Sequence, residues 1–217
     1  MASRDYLIMS NDMTLTDKKG YRLTALAAGL ERCGQKSIGN INADVPGLQA
    51  IPLANKDDRV AHIKSFIETG QWPKSIDQRE LAPLTDVVAP VAGQDSWLTV
   101  ALAVGAVVSA LNAQPAYTLT VGRLMVCYGV CVESPIVPMP VSRLIFRRGG
   151  AAGNIQAQFD MEPMGVRWEP DAFFSEPVVI DPQDPFAIQV LGRAAVPAGA
   201  RVHVHNFLFE IAGTVIA

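Results

Sequence analysis

The sequence predicts a mainly β protein, with an antiparallel β-sandwich over about residues 94–217 and an N-terminal helical and irregular accessory segment. Three observations predict this class. Of the 217 residues, 49% are apolar and 18% are charged, which supplies enough apolar surface for a packed core. Short apolar runs separated by Pro and Gly fill the second half of the chain. All six lysines lie before residue 75, so the two parts of the chain differ in composition.

This change in composition divides the chain into three parts. Residues 1–75 contain helical patterns, residues 76–93 form a Pro-containing connector, and residues 94–217 contain the β pattern. The first part can bury little apolar surface by itself. We therefore expect it to dock as an accessory layer on the β-domain or on a neighbouring subunit.

Two helices are predicted within residues 1–75. Thr16 is the expected N-cap of the first helix, whose apolar stripe runs towards Cys33 and consists of Leu23, Leu26 and Leu30. Asn55 is the expected N-cap of the second helix, and Gly70 ends it. The apolar face of the second helix is formed by Val60, Ile63 and Ile67.

A long stretch without charge runs from Trp97 to Leu111. It has fifteen residues, whereas a membrane-spanning helix needs roughly 20. Its large side chains alternate with small ones and are Val100, Leu102, Val104 and Val108. This period of two predicts a strand that is buried on both faces, with a buried helix or a lipid-inserting segment as the alternatives.

The other predicted strands are short and separated by turns. Thr118–Glu133 alternates, and Val141–Arg148 is expected to pair with Ile155–Met161 across a glycine-rich turn. Further strands are predicted at Glu176–Ile180, Phe186–Leu191 and Arg201–Ile211. Short strands at regular spacing with Pro and Gly turns are typical of a sandwich or jelly roll.

Charge and cysteine content argue against several classes of protein. The net charge is −3 and no run of Lys or Arg exceeds two residues, so the sequence has no arginine-rich arm for nucleic acid. Three cysteines are too few for a disulfide framework, and Cys127 and Cys131 are expected on one face of a strand, beyond disulfide reach. No signal peptide is recognisable, which predicts synthesis in a reducing cytoplasm.

One group of residues late in the sequence could bind a metal ion. His203 and His205 alternate onto one face of a predicted strand, and Glu210 follows them. This run resembles the first metal motif of cupins, which are small barrels that bind a divalent ion. The resemblance implies a metal site of His203, His205 and Glu210. The second cupin motif, which supplies a further histidine, does not follow, so we expect no metal and no cofactor.

Other catalytic signatures are missing from the sequence. It contains no Gly-x-Ser-x-Gly elbow, Walker loop or dinucleotide fingerprint. We therefore expect no catalytic residue and no enzymatic activity. Arg143, Arg147 and Arg148 are expected to form ion pairs within the sheet or between subunits. The carboxylates expected as partners are Asp160, Glu162, Glu169, Asp171 and Glu176. The acidic run 181–185 fits ordinary turn chemistry.

The strand pattern as a whole resembles viral jelly-roll coat proteins. The pieces that carry the resemblance are Leu119–Val132 (LTVGRLMVCYGVCV), Val141–Arg147 (VSRLIFR), Pro177–Ile188 (PVVIDPQDPFAI) and Val202–Ile211 (VHVHNFLFEI). The resemblance implies an eight-stranded sandwich that serves as a capsid subunit, either a major or a minor coat protein. Its partners would be copies of itself and other virion proteins, and its location would be the virion after synthesis in the host cytoplasm.

Two other function classes stay open from the sequence. The first is the small cupin-like metal-binding barrel described above. The second is a ligand-binding β-sandwich module, for which Trp72, Trp97 and Trp168 are the candidate stacking residues.

The accessory layer leads to a test on a fragment. Residues 1–75 expressed alone should show neither cooperative unfolding by circular dichroism nor strong amide protection, because two helices of this length are marginal without a surface to pack on. The full-length protein serves as the control. A fragment that unfolds cooperatively and protects its amides would be an autonomous domain, contrary to this prediction.

Overall fold

The computed structural model describes residues 5–81, 102–110, 116–167, 170–197, 200 and 202–216. Within these residues the chain forms ten strands and four α-helices. In chain order they are β1 (Leu7–Met9), α1 (Leu15–Gln35), α2 (Ile41–Asp44), α3 (Lys56–Glu68), β2 (Ile76–Leu81), β3 (Val107–Ser109), β4 (Tyr117–Thr118), β5 (Arg123–Glu133), β6 (Val141–Arg148), β7 (Asn154–Asp160), α4 (Glu162–Arg167), β8 (Asp171–Ile180), β9 (Pro185–Gly192) and β10 (His203–Gly213). The strands form two antiparallel sheets around a common core, which confirms the predicted β-sandwich.

The strands pair in a nested order. β6 pairs with β7, β5 with β8, β3 with β9, and β2 with β10. The first sheet therefore has the order β1-β8-β5-β10-β2, and the second sheet has the order β3-β9-β6-β7 with β4 also paired to β9. This nesting is the connectivity of a jelly roll, in which one long hairpin is wrapped into two sheets.

The inner core lies between the two sheets and contains a group of three phenylalanine rings. Phe159 and Phe174 stack with their centroids 4.1 Å apart. Phe146 meets both rings edge-on, with centroids 6.1 and 5.6 Å away. Such packed rings from facing strands hold the two sheets in register.

A layer of helices covers part of the outer face of the first sheet, so that the molecule has three layers. α1 packs on Leu124 and Val126 of β5 and on Ile211 of β10. The closest approach is at Gly29, where an added Cβ would lie only 2.6 Å from side-chain atoms of Ile211 and Val126. No helix in the described part of the chain is long and apolar enough to cross a membrane.

The helical layer is joined internally by a buried ion pair. The side chains of Arg59 in α3 and Glu31 in α1 are 1% and 0% exposed, and Arg59 Nε lies 2.8 Å from Glu31 Oε2. The other guanidinium nitrogens donate to the carbonyl oxygens of Leu48 and Ile51 and to Asn42 Oδ1. One side chain therefore connects α1, α3 and the irregular segment between them.

The two predicted helices are present, with one change at the first N-cap. Thr14, rather than Thr16, caps α1: its Oγ1 accepts from the Asp17 N–H, and Asp17 Oδ2 accepts from the Thr14 N–H. This reciprocal pair is a capping box, which Thr16 cannot form at that spacing. Asn55 precedes α3 as predicted, and Gly70 follows it with a positive φ.

The prediction of a strand buried on both faces over residues 97–111 is wrong in the part that the structure describes. Residues 97–101 and residue 111 lie outside the described residues. The rest contains only the short edge strand β3, and Val104 is 73% exposed. Gly105 adopts a positive φ of 72°, which turns the backbone and interrupts the alternation.

A β-bulge in β5 separates the two cysteines that were expected on one face. Cys127 packs in the inner core, whereas Tyr128 packs on the outer face. At Tyr128–Gly129 the strand β5 contains one residue more than the paired segment of β10, which is a β-bulge. After this bulge, Val130 faces inwards and Cys131 faces outwards. Cys127 and Cys131 therefore lie on opposite faces.

The other predicted strands are present with changes. The predicted strand Thr118–Glu133 is divided by a turn into β4 and β5, and β8 begins at Asp171 instead of Glu176. The β6–β7 hairpin forms through the expected glycine turn, and Ala157, Phe159 and Met161 are buried. Ile155 is exposed instead, because a bulge between Phe146 and Arg147 shifts the register at the start of β7. β1 and β2, which belong to the first sheet, come from outside residues 94–217. The division of the chain at residues 75 and 93 stays a prediction.

The buried ion pair leads to a prediction about stability. Glu31→Gln should lower the free energy of unfolding by about 3 kcal/mol, because it leaves the Arg59 guanidinium buried without a counter-charge. Urea denaturation at neutral pH measures the change.

The matched control is the exposed pair Arg193–Glu162, whose nearest charged atoms are 3.8 Å apart. Glu162→Gln should change the free energy of unfolding by no more than about 0.5 kcal/mol. Equal effects of the two substitutions would contradict the assigned role of Glu31.

Candidate functional site

The structure does not bring together the three residues of the expected cupin-like site. His203 and His205 lie on the outer face of the first sheet, and their rings are parallel with centroids 5.9 Å apart. Glu210 is an odd number of residues further along β10 and faces the other way, where it pairs with Arg79 at 3.2 Å and Arg123 at 3.4 Å. Within the described ranges, no three His, Cys, Asp or Glu side chains are placed to hold a metal ion.

The two histidines have different neighbours from those expected. His203 lies opposite Glu133, and His205 lies opposite Cys131 on β5. Burial lowers the pKa of His205 and outweighs the opposite effect of the Glu133 carboxylate. Burial, with Asp171 nearby, raises the pKa of the Cys131 thiol to about 12. Cys131 is therefore a neutral thiol at physiological pH and lacks the thiolate character of a nucleophile.

Aromatic rings adjoin the histidines on the same outer face. Tyr128 stacks on Phe209 with centroids 4.7 Å apart, and it lies 5.9 Å from Phe207 and 6.3 Å from Phe173. Two cavities of about 360 and 350 Å³ lie on the two sides of Phe207, and both are lined by Tyr128. We call Tyr128, Phe173 and Phe207 the aromatic patch. It was not foreseen, because the sequence alone does not show which rings of adjacent strands share a face.

A cavity of about 680 Å³ lies between α1 and the sandwich and contains an ionic cluster around Asp181. Arg32 of α1 binds both carboxylate oxygens, with Nε 2.7 Å from Oδ1. Lys36 and Arg148 add positive charge at 3.4 and 3.7 Å from Oδ2. Burial alone would raise the pKa of the Asp181 carboxyl, but Arg32 and Lys36 hold it below its usual value.

Arg143 of β6 lies opposite Asp160 of β7, one of the expected carboxylates, whereas Arg147 and Arg148 have other partners than those expected. Arg148 pairs with Asp184 and Asp181 in the β8–β9 turn. Arg147 donates to the Gln189 side chain and the Gly153 carbonyl, both neutral. Asp181 and Arg32 are 149 residues apart in sequence, so no local signal could have paired them.

Of the three candidate stacking tryptophans, the structure describes Trp72. Trp72 is half-buried and its indole Nε1 donates to the Ile76 carbonyl at 2.7 Å, which is a structural contact. Trp97 and Trp168 lie outside the described residues.

No protein-family model matches the chain, and no curated protein sequence matches it significantly. Any functional assignment therefore depends on the geometry described above.

The Asp181 cluster leads to a prediction about pH. The pKa of Asp181 is lowered in the folded state, so the stabilisation that it supplies is present above the ordinary carboxyl pKa and is lost as the pH falls through the lowered value. Asp181→Asn should cost about 1–2 kcal/mol at pH 7, because the partner cations are partly exposed and screened by solvent. The difference in the free energy of unfolding between Asp181→Asn and the wild type should become smaller below about pH 4. Urea denaturation across a pH series measures it.

Asp184 supplies the matched control. Its pair with Arg148 is more exposed, with side chains 37% and 54% accessible, so Asp184→Asn should cost only about 0.5 kcal/mol. A cost of Asp181→Asn that stays constant down to acidic pH would show that packing, and not charge, is responsible.

Proposed function

We propose that this chain is a structural virion protein, a self-assembling capsid subunit without catalytic activity. The support begins with the nested strand order, since jelly-roll sandwiches occur in viral capsid proteins, lectins and cupins. A shared fold does not choose among these functions. The choice depends on what the described side chains do.

The cupin and ligand-binding alternatives find little support in the described residues. A cupin site needs its metal ligands inside the barrel, whereas His203 and His205 face outwards and Glu210 faces away from them. For a ligand-binding module, the described candidate is Trp72, which is half-buried and held by its indole N–H to the Ile76 carbonyl, so that only part of its ring faces a cavity of about 320 Å³.

The observation that carries the proposal is the placement of large apolar side chains outside both cores. The exposed ones are Tyr6, Leu15, Leu53, Val104, Val107, Val121, Val137, Ile155, Val215 and Ile216. Val121 and Val215 lie at one end of the sandwich: Val121 precedes Gly122, and a Cβ added to Gly122 would be 3.6 Å from the Val215 side chain. Val104 and Val137 lie in loops at the opposite end. Apolar side chains at both ends suit side-by-side contacts between subunits of a shell.

The charge of the chain bears on its partners. A net charge of −3 without an arginine-rich arm does not favour direct binding of a nucleic-acid genome. The proposed partners are therefore copies of the same chain and other virion proteins. The proposed location is the virion, after synthesis in the host cytoplasm.

Self-assembly can be measured on the purified full-length protein. Size-exclusion chromatography with light scattering should show a mass that rises with concentration, and negative-stain microscopy should show closed particles or regular oligomers. Val121→Lys should shift the mass towards the monomer, because it places a charge on an apolar end surface.

Thr120→Lys supplies the matched control, because the exposed Thr120 precedes Val121 in the same turn and is already polar. It should leave assembly unchanged. A wild-type protein that stays monomeric throughout the concentration series would refute the proposed function.

A further inference from the structure

The helical layer covers only part of the outer face of the first sheet. α1 packs over Leu124, Val126 and Ile211, at the end of the sheet where β10 finishes. At the other end, His205, Phe207 and Cys131 stay partly exposed. The outer surface therefore has a step, with a raised half formed by α1 and a lower half formed by bare strands.

The step itself is formed by the first turns of α1. Tyr21 contacts Phe173 edge-on with centroids 5.6 Å apart, and the Arg22 guanidinium lies 5.3 Å from the centroid of Phe209. Leu15, the first residue of the helix, is 85% exposed. It shares a helix face with Lys18, Lys19 and Arg22, which are three, four and seven residues further on.

Charge is distributed unequally across this step. Lys18, Lys19 and Arg22 line the cavity on the helix side of the aromatic patch. Arg22 is already paired with Glu80 at 3.1 Å, so the net positive charge of this half comes from Lys18 and Lys19. Glu133 lines the cavity on the other side, near the end of the sheet, and Asp171 lies beside Cys131 on the neighbouring strand. The surface is thus positive on its raised half and negative on its lower half, with aromatic rings between.

We propose that two copies of this chain associate face to face through this stepped surface. A two-fold axis that lies in the interface and runs across the strands would place the raised half of each copy over the lower half of the other. Leu15 of one copy would then pack beside His205 and Phe207 of its partner copy, and Lys19 would meet Glu133. Shape and charge are both self-complementary under this operation.

A second copy fits this surface better than a nucleic acid. Bases could stack on the aromatic patch, but a phosphate backbone crossing it would meet Glu80 and Glu133 as well as the lysines. A second copy, rotated by the two-fold axis, places its negative half against the positive half of the first copy and its positive half against the negative one. The inference rests on the proposed self-assembly, to which it adds the contact surface and its symmetry.

The symmetry permits a charge-exchange experiment on the full-length protein. In a two-fold contact each Lys19–Glu133 pair occurs twice, so Lys19→Glu and Glu133→Lys homodimers each contain two repulsive pairs. A mixture of the two variants forms heterodimers in which both pairs are attractive. Sedimentation velocity at low salt should therefore show that each variant alone associates about tenfold more weakly, and that the mixture recovers the wild-type association. High salt should reduce these differences.

Leu15 supplies a second, independent variant with a matched control. Leu15→Glu should weaken association by about tenfold or more, because an apolar anchor is replaced by a charge. Leu53→Glu changes an exposed leucine that lies outside both cavities of the stepped surface and should have no effect on this association. Circular dichroism and urea denaturation check that all variants are folded.

The outcomes separate this inference from the proposed function. A wild-type protein that assembles, with no loss in Lys19→Glu or Leu15→Glu, would overturn the stepped surface and leave self-assembly standing. A wild-type monomer would overturn both. Failure of the mixed variants to recover association would exclude the two-fold arrangement. Tight binding of a single-stranded oligonucleotide that Lys19→Glu abolishes, without change in association, would assign the surface to nucleic acid instead.

Discussion

β5 is apolar on both of its faces, and the rest of the architecture depends on how those faces are covered. Seven consecutive residues, Leu124 to Val130, are buried. Antiparallel sheets commonly leave one face in water, but a strand of this kind requires a layer on each side. The second sheet covers the inner face, and α1 covers much of the outer face, coming closest where Gly29 has no side chain. The N-terminal segment is thus the third layer that the central strand requires.

Ionic contacts give this third layer its orientation. Apolar burial is non-directional and does not by itself set the angle or position of a helix on a flat sheet. The Arg59–Glu31 pair fixes α3 and the intervening segment to α1, and Arg32 with Asp181 fixes α1 to the β8–β9 turn. Because these bonds have defined geometry, they select one placement among many that would bury similar apolar area. The bare lower half of the outer face follows from that placement.

The sequence predicts the positions of β6, β9 and β10 well, and in the first half of β10 buried and partly exposed residues alternate without interruption. It fails where a single extra residue changes the phase: the bulge at Tyr128–Gly129 exchanges the faces of all later residues in β5, and so separates Cys127 from Cys131. The grouping of His205 with Glu210 was also misleading. Both residues lie on the continuous strand β10, and because an odd number of positions separates them, their side chains face opposite sides of the sheet. The Arg32–Asp181 pair and the aromatic patch depend on contacts between distant segments, which periodicity does not encode.

The nested strand pairing has a consequence for the order in which the protein folds during synthesis. β2 pairs with residues Leu208 to Gly213 of β10. These residues leave the ribosome long after β2 does. The apolar face of α1 likewise awaits Ile211, which belongs to the last strand. Domains rich in such distant pairings fold slowly and expose apolar surface before closure. The helices made first therefore have no complete surface to pack on until β10 emerges, and their solvated lysines disfavour premature contact between nascent chains.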